Sequence, residues 1–279
     1  MIPLEYLLRF IEEDTPYGDI TSEAVIPDCC CRAVIRAEQN GIIAGIAEAS
    51  ALFSHFGIAV KQKKMDGDTV RSDDVVLSLS GNARAILLVE RTALNIIGRM
   101  SGIATQTKKF SDIVASVNSR CRIAATRKTA PGLRALDKKA VQLGGGDPHR
   151  MSLSDGILIK DNHLALVPLS KAIQAAKAAS AYRKIEVEVE TPRDALTAAK
   201  TGADIILLDN MTPLLVKTTL ANLKRAGLRD HVTIELSGGI TETTLPEYAT
   251  LDVDTISMGA LTHTVRNFSI TLEILPDDH

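Results

Sequence analysis

Several features are missing or scarce in this chain of 279 residues. It contains no tryptophan, four tyrosines and five phenylalanines, so aromatic platforms on which nucleic-acid bases could stack are scarce. Its 32 basic and 34 acidic side chains give a net charge of −2, without the basic surplus that is typical of nucleic-acid binders. We therefore expect a partner other than a nucleic acid.

Cysteines and long apolar runs are also scarce. Cys29, Cys30 and Cys31 are adjacent, which suits neither pairing among themselves nor a metal site, and the fourth cysteine is Cys121. No apolar run reaches the roughly 18 residues of a membrane-spanning helix, and residues 1–14 lack the cationic start of a signal peptide. We therefore expect reduced thiols in a cytoplasmic protein that is not embedded in a membrane.

The last two thirds of the sequence alternate between short apolar runs and helix-like stretches such as residues 169–181 and 192–201. Each run ends in a polar or glycine-rich cluster. Repeated βα units predict a parallel sheet that is buried on both faces. Six units with chemistry at the strand ends fit a (β/α) barrel better than a doubly wound sheet. The runs are residues 123–125, 157–159, 185–189, 205–208, 232–236 and 255–257.

The first third has a different pattern and predicts a separate α/β domain. Apolar spacing predicts a long helix over residues 84–101. We place this domain at residues 1–105 and the barrel at residues 106–265, and we expect residues 266–279 to pack back onto the first domain. Short strands are predicted at residues 33–37, 42–46 and 75–79.

Charge is unevenly distributed along the chain. Residues 127–160 carry seven basic and three acidic side chains, so this stretch is +4 and the rest of the chain is −6. A cationic cluster at barrel strand ends suggests a small anionic ligand, and Arg suits bidentate recognition of carboxylate or phosphate. A solvated charged face is the alternative explanation.

Acidic and glycine-rich clusters follow later strands. Glu188 lies in an alternating acidic run, and together with Asp209 it could hold Mg²⁺ or the hydroxyls of a sugar. On an exposed edge strand the same alternation would only form a polar face in contact with solvent. Small residues at 237–239 and at Gly259 suit a phosphate cradle of backbone N–H groups, or merely tight turns.

Taken together, these motifs resemble one known family along nearly the whole chain, the quinolinate phosphoribosyltransferases. The motifs that carry the resemblance are residues 18–21, 90–95, 101–105, 126–134, 144–150, 158–163, 186–188, 208–210, 237–240 and 259–263.

The resemblance implies an α/β fold with an N-terminal α/β sandwich and an irregular (β/α) barrel of fewer than eight strands. It also implies a homodimer or a hexamer with active sites at subunit interfaces. The implied reaction converts quinolinate and phosphoribosyl pyrophosphate (PRPP) to nicotinate mononucleotide, pyrophosphate and CO₂, with Mg²⁺, in de novo NAD biosynthesis.

Roles for individual residues follow from the same resemblance. It places Arg127, His149, Arg150 and Lys160 around the quinolinate carboxylates and assigns Arg91 to the site of a partner subunit. Thr126 and Lys128 would border both substrates. The acids around ribose and Mg²⁺ would be Glu188 and Asp209, and the phosphate-binding turns would contain Ser237, Gly238, Gly239 and Gly259. The implied catalytic residues are Lys128, Lys160, Glu188 and Asp209.

Some positions depart from the family pattern. Gln142, Asp147-Pro148 and Ser152 are unusual, and Pro-His-Arg is similar to the ModD-like paralogues, which act on a different acceptor. The intact Lys-Asp-Asn-His motif at residues 160–163 favours the quinolinate enzyme. A Schiff-base barrel aldolase that uses Lys160, or a non-enzymatic binder, are alternatives of other classes.

Overall fold

The computed structural model describes residues 2–276, which form two compact units. The first contains residues up to 108, residues 130–145 and those from 261 onward; the second contains residues 109–129 and 146–260. The boundaries predicted at residues 105 and 265 separate domains that would fold independently. They stay a prediction. None of the helices formed by residues 2–276 has the length and apolarity needed to cross a membrane.

The described chain contains the following helices and strands. Up to residue 115 the elements are α1 (Leu4–Asp14), α2 (Ile20–Val25), β1 (Cys30–Ala37), β2 (Gly41–Ile42), α3 (Ile46–His55), β3 (Ala59–Gln62), β4 (Thr69–Val70), β5 (Val75–Asn82) and α4 (Ala83–Ala115). Beyond it they are β6 (Arg122–Ala124), α5 (Arg134–Leu143), β7 (Ile157–Ile159), α6 (Asp161–Leu164), α7 (Leu169–Ala179), β8 (Ile185–Val189), α8 (Pro192–Thr201), β9 (Ile205–Asp209), α9 (Pro213–Arg225), a 3₁₀ turn (Arg229–His231), β10 (Thr233–Ser237), α10 (Leu245–Ala249), β11 (Thr255–Ser257), α11 (Ala260–His263) and β12 (Ile270–Leu275).

The first unit contains an antiparallel sheet with the strand order β12-β1-β5-β3. The predicted strands at residues 33–37 and 75–79 lie within β1 and β5 and are confirmed. The strand predicted at residues 42–46 is wrong, because only Gly41–Ile42 pairs, with β4. Gly45 then takes a left-handed φ of 91°, and the Ile46 N–H donates to Asp66 Oδ1 at 2.8 Å, so a helix begins there instead.

Helix α4 confirms the predicted helix over residues 84–101 but continues to Ala115. Its buried face extends beyond the predicted end, since Ile103, Phe110 and Val114 are almost fully buried. Ser101 and Gly102 lie inside the helix, although serine and glycine are weak helix formers. The buried Ser101 hydroxyl donates to the carbonyl of Ala44 at 3.1 Å, which satisfies its polar atom.

The second unit contains a parallel sheet with the order β6-β11-β10-β9-β8-β7, so the six predicted strands are confirmed. Asp147 extends this sheet by a parallel bridge to Ala124 of β6. The result is the irregular barrel of fewer than eight strands that the sequence resemblance implies. Along β8, Val187 and Val189 are buried, and the alternation of side chains turns Glu186 and Glu188 to the other face.

A buried ion pair within the first unit offers a test of its stability. Asp137 is fully buried, and its carboxylate accepts two hydrogen bonds from Arg99, at 2.7 and 2.9 Å. Asp137→Ala leaves a partly buried guanidinium without its counter-ion, so we expect the free energy of unfolding to fall by about 3 kcal/mol in urea denaturation. Glu242→Ala, in the exposed Lys109–Glu242 pair, is the control and should cost below about 1 kcal/mol. Equal losses in the two variants would contradict the expectation.

Candidate active site

A cavity of about 590 Å³ lies in the second unit at the carboxyl ends of the parallel strands. The residues that line it come from positions 126 to 257, and the βα repeat brings them to one edge of the sheet. The predicted site residues that line it are Thr126, Arg127, Lys128, His149, Arg150, Lys160, Glu188, Asp209, Ser237, Gly238 and Gly239.

Two arginines make one side of this cavity strongly cationic. The Nε of Arg127 is buried and has no hydrogen-bond partner within residues 2–276. Burial lowers the pKa of Arg150, and the charge of Arg127 lowers it further, so the two guanidinium groups lie close enough to repel each other. A pair of like charges with an unsatisfied N–H is an arrangement that an anion would stabilise.

Lys160 lies at the end of β7, where helix α6 begins. The His163 ring accepts a hydrogen bond from the Lys160 backbone N–H at 2.9 Å, which fixes the turn into the helix. The Lys160 ammonium forms an ion pair with Glu188 on the neighbouring strand β8. The cationic and acidic parts of the cavity therefore meet at this pair.

The acidic part contains Glu188 and Asp209, which lie at the ends of the adjacent strands β8 and β9. Burial raises the pKa of Asp209, and the negative charge of Glu188 raises it further. The donor set consists of oxygen atoms of two carboxylates that repel each other across an open cavity. Such a set fits Mg²⁺, which is usually held by one or two carboxylates together with substrate phosphates.

Backbone geometry at the cavity is unusual at two places. His149 and Asn210 have positive φ angles of 55° and 52°, which are uncommon for residues with a Cβ and cluster at functional sites. The His149 N–H donates to Asp147 Oδ1 at 2.7 Å, which supports this conformation. Gly238 has a φ of 87°, and a Cβ there would lie 2.3 Å from Asn210 Oδ1, so the turn requires glycine.

Two predicted residues lie elsewhere. Gly259 follows β11 and is not among the residues that line the cavity. Arg91 is exposed on α4 in the first unit, and its assignment to a partner subunit stays a prediction.

The sequence reasoning missed an acid pair beside His149. His149 Nε2 lies 3.2 Å from Glu235 Oε2 and 3.7 Å from Glu186 Oε2. Glu235 occupies the middle of an otherwise apolar run, and a charged residue inside a buried parallel strand is the signal that could have identified it. Burial and the charge of Glu235 raise the pKa of Glu186 to about 7.

The raised pKa of Glu186 predicts a pH-dependent effect on stability. Between pH 4.5 and 7 the folded chain holds a proton on Glu186 that the unfolded chain has released, so stability contributed by this group falls as pH rises. Glu186→Gln removes the penalty. We expect the difference in free energy of unfolding, Glu186→Gln minus the unsubstituted chain, to rise by about 2 to 3 kcal/mol from pH 5 to pH 8. The measurement is chemical denaturation in the presence of EDTA. A difference that stays constant over this range would contradict the assignment.

Comparison with known families identifies the class of protein. Residues 19–101 match the N-terminal domain of quinolinate phosphoribosyl transferase, and residues 103–273 match its C-terminal domain. The chain therefore belongs to the quinolinate phosphoribosyltransferase family, which confirms the resemblance seen in the sequence.

The sequences of known relatives align with this chain over nearly their full length. The chain is 44% identical to a probable nicotinate-nucleotide pyrophosphorylase (carboxylating) of Archaeoglobus fulgidus, over 93% of this chain and 99% of that protein. It is 38% identical to the nicotinate-nucleotide pyrophosphorylase (carboxylating) of Mycobacterium leprae, over 95% of both chains. The solved nicotinate-nucleotide pyrophosphorylase of Francisella tularensis has a TM-score of 0.91 and 31% identity, covering 99% of this chain and 98% of that one.

Proposed function

We propose that this chain transfers the phosphoribosyl group of PRPP to quinolinate with loss of CO₂, giving nicotinate mononucleotide for NAD biosynthesis. The observation that carries the proposal is the pair of neighbouring guanidinium groups of Arg127 and Arg150, one with an unsatisfied buried N–H. Quinolinate is a rigid dianion with adjacent carboxylates, and a dicationic pocket is complementary to it. Family membership and the names of the relatives support the same reaction.

In this proposal the cationic residues hold the quinolinate ring. Arg127, His149, Arg150 and Lys160 would bind its carboxylates, which aims the ring nitrogen at the anomeric carbon of PRPP. Holding the two reactants in this orientation removes much of the entropic barrier to a bimolecular reaction. An aldolase would need Lys160 as a neutral amine, whereas here its ammonium is paired with Glu188.

The acidic residues and the glycine turn would bind PRPP. We propose that Glu188 and Asp209 hold the ribose hydroxyls and Mg²⁺, which when bound would neutralise charge on the departing pyrophosphate. Backbone N–H groups of Ser237, Gly238 and Gly239 would contact the 5′-phosphate, since positive φ angles at both glycines suit such a cradle. Lys128 and Thr126 also line the cavity and would touch both substrates.

The bond changes follow from this arrangement. The ring nitrogen forms a bond to C1 of the ribose as the bond from C1 to pyrophosphate breaks. The positive charge of the resulting pyridinium stabilises the electron pair that remains on C2 when the 2-carboxylate leaves as CO₂, and a proton then bonds to C2 through that pair. The protein contributes a preorganised field and orientation, with Lys160 and the arginines retaining the 3-carboxylate.

Direct assay tests the proposal. The protein is incubated with PRPP, Mg²⁺ and quinolinate labelled in its 2-carboxylate, and both released CO₂ and nicotinate mononucleotide are measured. We expect the two products in equal amounts, and none when PRPP is omitted. Absence of both products, together with turnover of another base, would instead support the ModD-like activity. Borohydride trapping of Lys160 with a keto substrate would support the aldolase.

We further propose that the enzyme is a cytoplasmic homodimer or hexamer in which Arg91 completes the site of the neighbouring subunit. Arg91 is exposed on α4, and the family resemblance supports its role in a partner's site. Arg91→Ala and Lys160→Ala chains should each be inactive, and mixing them in equal amounts should restore activity to about a quarter of the sites, because one site of each mixed dimer is intact. Activity is measured after co-refolding. Failure of mixed oligomers to recover activity would contradict the role of Arg91.

A further inference from the structure

A cluster of three ionisable side chains lies beside the active-site cavity, and only one of the three, His149, belongs to a proposed substrate site. It consists of His149, Glu186 and Glu235, whose candidate ligand atoms all lie within 4.8 Å of one another. The side chains of Glu186 and Glu235 are only 7% and 5% exposed. A second cavity, of about 350 Å³, is lined by all three residues and reaches the first residues of the strands, such as Thr233 and Thr255.

The carboxylate of Glu186 supplies an independent indication that this cluster binds a ligand. Its Oε1 is buried and accepts no hydrogen bond from any residue that the structure describes. Positive charges on Arg150 and Lys160 act on the carboxylate, yet neither donates a hydrogen bond to Oε1. A buried carboxylate oxygen without a partner costs free energy, and the neighbouring Glu235 carboxylate increases that cost by repulsion. Buried carboxylates of this kind are normally paired or coordinate a metal.

We propose that His149, Glu186 and Glu235 bind a divalent cation of the zinc class, at a site distinct from Glu188 and Asp209. With metal–ligand bonds of about 2.1 Å, the distances from His149 Nε2 to Glu235 Oε2 and Glu186 Oε2 correspond to ligand–metal–ligand angles of roughly 100° and 120°. These angles suit a tetrahedral ion.

The chemistry of the donors separates the two sites. Glu188 and Asp209 offer only carboxylate oxygens, which Mg²⁺ prefers, whereas the imidazole nitrogen of His149 suits zinc, cobalt and similar ions. The second cavity provides the entry path, since Glu186 borders it and not the substrate cavity. The cation would contact Glu186 through Oε2, or through both carboxylate oxygens, and would relieve the repulsion between the two acids.

Cobalt titration tests the site directly. Metal-free protein is titrated with Co²⁺ in excess Mg²⁺, which occupies sites made only of oxygen ligands. The three adjacent thiols at residues 29–31 are replaced by serine in all samples, so that they bind no cobalt. We expect one equivalent of Co²⁺ with the visible absorption of a four- or five-coordinate ion, displaced by Zn²⁺.

Variants locate the bound ion. Glu186→Gln and Glu235→Gln each remove one ligand charge without changing side-chain size, and each should weaken Co²⁺ binding by at least roughly tenfold. Glu190→Gln, at an exposed position of the same acidic run, is the matched control and should leave Co²⁺ affinity unchanged. Absence of Co²⁺ binding to the unsubstituted site, or equal binding in all three variants, would overturn the proposal. The first of these outcomes does not depend on whether the variants fold.

Discussion

Replacing Arg127 or Arg150 by alanine is expected to raise the KM for quinolinate by about 10- to 100-fold, because each guanidinium contributes charge-assisted hydrogen bonds worth about 1.5 to 3 kcal/mol. Arg127 follows β6, and its buried Nε has no hydrogen-bond partner among the described residues, so this N–H is already desolvated before an anion arrives. Arg150 lies near enough for the charge of Arg127 to lower its pKa.

The repulsion between the two arginines makes the expected effect specific to the dianion. Removing Arg127 relieves that repulsion, so the folded Arg127→Ala chain should be no less stable while its affinity for quinolinate falls. Arg122→Ala is the matched control, since Arg122 is exposed at the opposite end of β6. Initial rates over a range of quinolinate concentrations, at saturating PRPP, give KM for quinolinate and kcat. Unchanged KM and kcat in either active-site variant would refute the assignment of the cationic pocket.

Glu188→Gln is expected to lower kcat/KM for PRPP by about 100- to 1,000-fold, the size seen when a preorganised electrostatic group is removed from an active site. Glu188 forms an ion pair with Lys160 and acts on Asp209 by its charge. Its loss therefore disturbs the acidic pair and leaves Lys160 without its partner at the junction of the two substrate sites. The substitution keeps the side-chain size, so a large effect reports charge rather than packing.

The concentration of Mg²⁺ that gives half-maximal activity distinguishes the two roles proposed for this acid. A rise in that concentration for Glu188→Gln would support a part in holding Mg²⁺, while an unchanged value with a raised KM for PRPP would support contact with the ribose. Glu190→Gln, two residues further along the same run and exposed, should change kcat/KM by less than about threefold. Similar losses in both variants would contradict a specific role for Glu188.

Much of the barrel and its cavity could be predicted because local pattern and topology agree. Short β-rich runs such as residues 205–208 and 232–236 can only bury both faces in a parallel sheet, and strand alternation then directs every second side chain inward. The carboxyl ends of parallel strands meet at one edge, so Asp209 and Ser237 become neighbours without any knowledge of the coordinates. Eleven predicted residues line the cavity for this reason.

Local pattern failed where contacts distant in sequence decide the outcome. Residues 42–46 are apolar enough for a strand, but hydrogen bonds to Asp66 and Ser101 hold this segment at the start of α3. Nothing near Glu235 in the sequence indicates His149, which lies 86 residues away and meets it across the sheet. Such pairings depend on how the strands are ordered, which periodicity does not specify.

The sequence by itself determined the class of fold, the uneven charge and the family, because apolar spacing, charge order and glycine positions are properties of the chain. Only the tertiary structure decided that Asp147 pairs with β6 and so brings His149 and Arg150 to the cavity, and that Glu186 and Glu235 converge on His149. The physical reason is that burial and electrostatic coupling arise between residues far apart in the chain. Whether a carboxylate is a solvated surface group or a buried ligand depends on those neighbours.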